Sequence, residues 1–135
     1  MTMTDESRTD EVLIVDDQQA MRLLLVGLLR NLKFANIRQA ASGRKALEMM
    51  KTRMPDIVFL DLMMPDMHGL EVLNELRAMP EGERVFVIVQ TGSATKENVE
   101  RARDLDVGGV LVKPYNFEKV RTAIGRYGSA SADPD

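Results

Sequence analysis

Apolar residues come in two rhythms along this chain. Short unbroken runs, rich in β-branched residues, occur at 12–16 (Val-Leu-Ile-Val-Asp), 57–61 (Ile-Val-Phe-Leu-Asp), 85–90 (Val-Phe-Val-Ile-Val-Gln) and 109–112 (Gly-Val-Leu-Val). A weaker run lies at 37–41 (Ile-Arg-Gln-Ala-Ala). Runs of this length read as buried strands. Amphipathic stretches of helical spacing separate them, at about 19–32, 43–53, 69–79, 95–106 and 117–126. Ser42 and Asn116 stand where N-caps belong, and Pro55 ends the second helix. Five strand-then-helix units predict an α/β fold with a parallel, doubly wound sheet and helices on both faces. Such sheets bind their ligands beyond the carboxyl ends of the strands, where the strand order switches.

The chemistry of the chain collects at those ends. Asp16 and Asp17 close the first run, and Asp61 closes the run at 57–61. If these two strands are neighbours, three carboxylates converge. Each close pair repels by about 4 kcal/mol at intermediate dielectric. An all-oxygen acidic cluster of this kind suits a hard cation such as Mg²⁺. The fourth run leads into Thr91-Gly92-Ser93, and the fifth into Lys113-Pro114. A cation site, a lysine point charge and a hydroxyl donor together suit a phosphoryl group, whose oxygens need neutralising from several sides.

Composition narrows the classes. A chain of 135 residues predicts one domain, here 11–127, flanked by polar tails at 1–10 and 128–135. The absence of cysteine excludes disulfides and thiolate metal sites. Net charge is −3 with no basic stripe, which argues against nucleic acid as a partner. No apolar run approaches the ~18–20 residues of a membrane span, and the polar, acidic start is unlike a signal peptide, so a cytoplasmic monomer is expected.

From Val12 to about Arg126 the chain resembles the receiver domain of two-component response regulators. The matching text is Val-Leu-Ile-Val-Asp16-Asp17, Phe-Leu-Asp61-Leu-Met-Met-Pro65-Asp-Met-His-Gly69-Leu-Glu, Thr91-Gly92 and Lys113-Pro114, in that order. Within the family it looks most like stand-alone CheY-like chemotaxis regulators, through Met21-Arg22 and the segment from Leu32 to Ala40. The resemblance implies a five-stranded sheet in the order 2-1-3-4-5, the order of CheY-type doubly wound sheets. It implies Asp61 as phosphoacceptor, with Mg²⁺ held by Asp16, Asp17, Asp61 and the backbone carbonyl of Met63. Thr91 and Lys113 would each meet a phosphoryl oxygen, and the bond before Pro114 would be cis. Many receivers carry a switching aromatic three residues before the lysine; here that position is Val110, whose stiff β-branched side chain has no ring to swing.

The implied function is a single-domain response regulator. A histidine kinase or histidine phosphotransfer protein phosphorylates Asp61, and a downstream protein effector reads the result. It would catalyse only its own phosphoryl transfer and dephosphorylation. Three alternatives stay open: a phosphate sink, a phosphorelay shuttle and a receiver-fold scaffold. A phosphatase working through an aspartyl phosphate needs an acid two residues past the nucleophile, where this chain has Met63. His68 reads as an exposed turn residue, and the methionines near 49–67 as packing. The first helix carries more leucine than one buried face needs, and the surplus suits a docking surface for a phosphodonor.

Overall fold

The computed structural model describes residues 8–93 and 95–131. Strands β1 (Arg8–Val15), β2 (Phe34–Ala40), β3 (Ile57–Asp61), β4 (Phe86–Thr91) and β5 (Gly109–Val112) pair in parallel in the order β2-β1-β3-β4-β5. The connecting helices are α1 (Gln19–Asn31), α2 (Gly43–Thr52), α3 (Gly69–Ala78), α4 (Lys96–Asp104) and α5 (Phe117–Ser131). Ser42 accepts from the Lys45 N–H at 3.1 Å and Asn116 from the Lys119 N–H at 3.0 Å, so both expected caps form.

Alternation along the central strands builds two cores. Leu13, Val15, Val58, Leu60, Val87 and Val89 pack with α2, α3 and α4 on one face. Val12, Ile14, Ile57, Phe59 and Ile88 pack with α1 and α5 on the other. Each such side chain contributes about 1.5–3 kcal/mol when fully buried. This double burial is why the runs are continuous rather than alternating. Helix α4 is the exception to deep anchoring, since Ala102 is its one buried residue.

Three boundaries differ from the sequence reading by three residues or more. Strand β2 begins at Phe34, not 37, and its burial is mixed because it is an edge strand with one neighbour. Lys33, at φ 77°, makes the left-handed turn that ends α1 and starts it early. Strand β1 begins at Arg8, inside the stretch read as a tail, because the Arg8 N–H reaches Lys33 O at 2.7 Å and its guanidinium lies 4.6 Å from the Phe34 ring centre. Helix α5 runs to Ser131, past the expected helix end near 126 and the expected domain limit at 127. Glycine at its end weakens a helix already nucleated, at about 1 kcal/mol each, without stopping it. The remainder of the two expected tails, 1–7 and 132–135, lies outside the described residues.

Candidate functional site

Parallel register brings the polar residues to one edge. Val15 pairs with Leu60, Asp61 with Gln90 and Thr91 with Val112. The next residues, Asp16 after β1 and Lys113 after β5, therefore flank Asp61 from two sides. Carboxylate oxygens of Asp16, Asp17 and Asp61 all lie within 4.8 Å of one another. Asp16 is fully buried and Asp61 nearly so, while Asp17 is exposed. The Lys113 ammonium donates to Asp61 Oδ2 at 3.1 Å and to Asp16 Oδ2 at 3.2 Å. The peptide bond from Lys113 to Pro114 is cis, as the resemblance implied.

The remaining acceptors are fixed by short-range donors. Gln18 N–H donates to Asp16 Oδ1 at 2.9 Å, and Met63 N–H to Asp61 Oδ1 at 3.1 Å. Gly69 N–H donates to Leu62 O at 2.7 Å and closes the loop after β3. A Cβ at Gly69 would lie 2.4 Å from Asp61 O and 2.6 Å from Leu62 Cα, so this approach requires glycine. Thr91 is fully buried, and its hydroxyl both donates to Ser93 O and accepts from Ser93 N–H, each at 3.1 Å.

Electrostatics at the edge is unbalanced. Burial raises the Asp61 pKa, and the nearby Asp16 charge adds to this; the Met63 N–H and Lys113 pull the other way without cancelling it. Lys113 shows the counterpart. Burial alone would lower its pKa, but its bonds to Asp61 and the charges of Asp61 and Asp16 raise it. One ammonium faces three carboxylates, leaving a formal −2. The deficit equals the charge of a divalent cation, and every donor is a hard oxygen. Opposed oxygens around Mg²⁺ stand about 4.2 Å apart, close to the observed spread. The site therefore fits such an ion.

The sequence profile of the response regulator receiver domain matches residues 12–125. The chain belongs to that family. It is 36% identical over 114 residues to a probable chemotaxis protein CheY of Rhizobium etli, covering 84% of this chain and 88% of that one. It is 38% identical over 116 residues to chemotaxis protein CheY-3 of Vibrio cholerae (86% and 89% covered). It is 30% identical over 118 residues to sporulation initiation phosphotransferase F of Bacillus subtilis (87% and 93% covered). Among solved structures, Vibrio cholerae CheY4 superposes with a TM-score of 0.82 at 26% identity, covering 88% of this chain and 98% of that one. The receiver is thus a two-component signalling protein of a family whose signal is an aspartyl phosphate.

Several residues of this receiver were silent or misread in the sequence. His68 is half-buried and caps α3: its Nδ1 accepts from Leu70 N–H at 3.1 Å, while Glu71 accepts from its N–H at 3.1 Å. Asp66 accepts from the N–H groups of Gly43 and Arg44, at 3.2 and 3.1 Å. Burial would raise its pKa slightly, but those two donors at the start of α2 win and lower it. Met50 and Met64 are buried as expected of packing residues, but Met63 is 58% exposed beside the site. Val110 is half-buried against the α2, α3 and α4 face. Gln90 is fully buried, donates to Asp16 Oδ2 at 3.2 Å and accepts from the Tyr115 hydroxyl at 2.5 Å. A lone amide ending an apolar strand was its signal in the sequence. No helix of the described residues is long and apolar enough to cross a membrane.

A cavity of about 570 Å³ opens at the opposite end of the sheet, lined in part by Asp56, Arg77, Glu81 and Arg84. Several of its charges are engaged within the fold, Arg84 with Glu81 at 2.7 Å and Asp56 with the Glu11 N–H at 2.7 Å. Size does not outweigh chemistry here, and the acidic edge is the better candidate.

Proposed function

We propose that Asp61 is the phosphoacceptor of this receiver. Its carboxylate attacks the phosphorus of a phosphohistidine on a histidine kinase or histidine phosphotransfer protein. The new O–P bond forms as the N–P bond breaks, and the histidine nitrogen leaves with its electron pair. Lys113, already 3.1 Å from Asp61 Oδ2, stays to neutralise one phosphoryl oxygen. The Thr91 hydroxyl exchanges Ser93 O for another. Asp16, Asp17, Asp61 and the Met63 carbonyl would hold a Mg²⁺ ion, which would supply positive charge toward the phosphoryl oxygens. Gly69 and the Met63 N–H keep the Asp61 loop in register for the attack.

The single observation carrying this reading is the clustering of Asp16, Asp17 and Asp61 within 4.8 Å with Lys113 bridging two of them. Incubation with acetyl phosphate and Mg²⁺ tests it. Wild type takes up one phosphoryl group, and Asp61→Asn takes up none, because an amide is not anionic. Label persisting on Asp61→Asn overturns the assignment.

Output goes through protein contacts in this reading. Leu23 and Leu24 of α1 are 54% and 46% exposed and suit docking of the phosphodonor. A relay role without its own effector has one observation in its favour: Val110 offers no ring to couple with Thr91. One relative is itself named a sporulation initiation phosphotransferase. NMR shifts induced by beryllofluoride separate the two readings. Changes spreading into α4 and β5 support an effector surface; changes confined to the contacts of Asp61 support the relay.

A further inference from the structure

One buried amide joins the acidic edge to an aromatic outside it. Gln90 sits next to Asp61 in the sheet and has no exposed surface. A carboxylate only accepts hydrogen bonds, so the NH₂ end of Gln90 faces Asp16, 3.2 Å from Oδ2. That orientation turns the amide oxygen toward Tyr115, whose hydroxyl donates to it at 2.5 Å. The donor direction is therefore single: Tyr115 to Gln90 to Asp16. Phosphoryl chemistry at Asp61 does not require this path, and an apolar residue at 90 would match the rest of β4.

Asp16 has little freedom left. A carboxylate offers about four lone-pair sites. The Gln18 N–H, Gln90 Nε2 and Lys113 Nζ take three of them. What Asp16 presents to a cation is set by these donors, and Gln90 is the one that leads outward. Tyr115 itself is half-buried in the α1 and α5 core, between exposed Pro114 and Asn116.

We propose that Gln90 is a positioning residue of the metal site, and that its amide ties the orientation of Asp16 to that of Tyr115, so that filling the acidic edge is registered at the Tyr115 surface. The proposal rests on the reading of Asp16 as a metal ligand. When Asp16 turns an oxygen toward the ion, the Gln90 amide must readjust, and the Tyr115 hydroxyl follows its acceptor. Linkage makes the coupling reciprocal: altering Tyr115 alters cation affinity.

The chain has two tyrosines and no tryptophan, so Tyr127→Phe leaves Tyr115 as its only intrinsic fluorophore of note. Mg²⁺ titrated into this variant changes Tyr115 emission along a saturating curve that matches calorimetric binding. Adding Gln90→Met, which keeps length but has no amide, abolishes the emission response and weakens Mg²⁺ binding by about tenfold, the usual effect of losing a ligand's hydrogen-bond partner. In the otherwise native chain, Tyr115→Phe weakens Mg²⁺ binding by about twofold. An emission signal that ignores bound Mg²⁺, or that survives Gln90→Met, overturns the proposal. If Gln90→Met melts out, Tyr115→Phe decides, and unchanged Mg²⁺ affinity there overturns it. Calorimetry that detects no Mg²⁺ on wild type instead removes the underlying site reading, and the proposal falls with it.

Discussion

Two cationic side chains sit at opposite ends of the same sheet and are held in contrasting ways. Lys113 stands at the carboxyl edge between two buried carboxylates, so its partners are charged and its single positive charge cannot neutralise both. Arg77, at the end of α3, donates only to neutral backbone oxygens: Leu105 at 2.8 Å, Gly82 and Val85 at 2.8 Å each, and Asp106 at 2.9 Å. Burial lowers the Arg77 pKa, with the Asp106 charge opposing, yet a guanidinium keeps its proton. Its rigid fork pins three chain segments together. The lysine is a point charge that can follow an oxygen from one group to the next. One end of the sheet is built to rearrange and the other to stay put.

The largest effect belongs to the charged end. Lys113→Met leaves Asp16 and Asp61 facing each other without a counter-ion, and unfolding in chelator at pH 7 shows a loss of roughly 4 kcal/mol. The deficit shrinks as pH falls, because Asp61, whose pKa burial already raises, takes up a proton and ends the repulsion. A deficit independent of pH breaks the comparison. Phosphoryl uptake by the same variant drops by about 100-fold.

Arg77→Ala is next. Several carbonyls lose their donor, and urea unfolding shows a loss of about 3 kcal/mol. Phosphoryl uptake per folded molecule is unchanged. Arg77→Lys recovers only part of the stability, because an ammonium lacks the fork. A change in uptake rate at low urea shows instead that the two ends communicate.

Asp66→Ala sharpens the contrast, since this carboxylate lies on the site's own loop yet works structurally. Losing two charge-assisted bonds at the start of α2 costs about 1 kcal/mol in thermal or urea unfolding at neutral pH. Its folded pKa is lowered, so the stabilisation is present above the unfolded value of 3.8 and is lost as pH falls below it. Wild type and variant therefore converge in acid. The smallest effect is at Met63, whose exposed apolar side chain gives an attacking water no hydrogen bond. Met63→Asn speeds decay of the phosphoprotein about fivefold, near 1 kcal/mol of barrier, measured after donor removal.

How legible each end was in the sequence follows from the same contrast. Asp16, Asp61 and Lys113 stand out because each follows an apolar run, and a parallel sheet aligns run ends without any detail of packing. Arg77 gave no signal, because its acceptors are backbone oxygens as far as 29 residues away, and any residue carries such an oxygen. Gln90 passed as the last residue of an apolar run, and its role as a link gave no local signal, since its partners lie 74 residues before it and 25 after. His68 was misjudged as a plain turn residue although Glu71 three positions on completes a capping box, a local pattern open to reading. The start of β1 was missed for lack of apolar residues: Arg8 to Asp10 are polar and hold the strand through the backbone and a ring contact.

The glycine that closes the loop after β3 has an engineering consequence. Because nothing larger fits at 69, the backbone that carries Asp61 is not adjustable. The side chain at 63, by contrast, projects into solvent and is not part of the core, so it can vary without disturbing that backbone. If Met63→Asn speeds phosphoryl loss as expected, a designer can reset the lifetime of the signal at one position while leaving the proposed acceptor untouched.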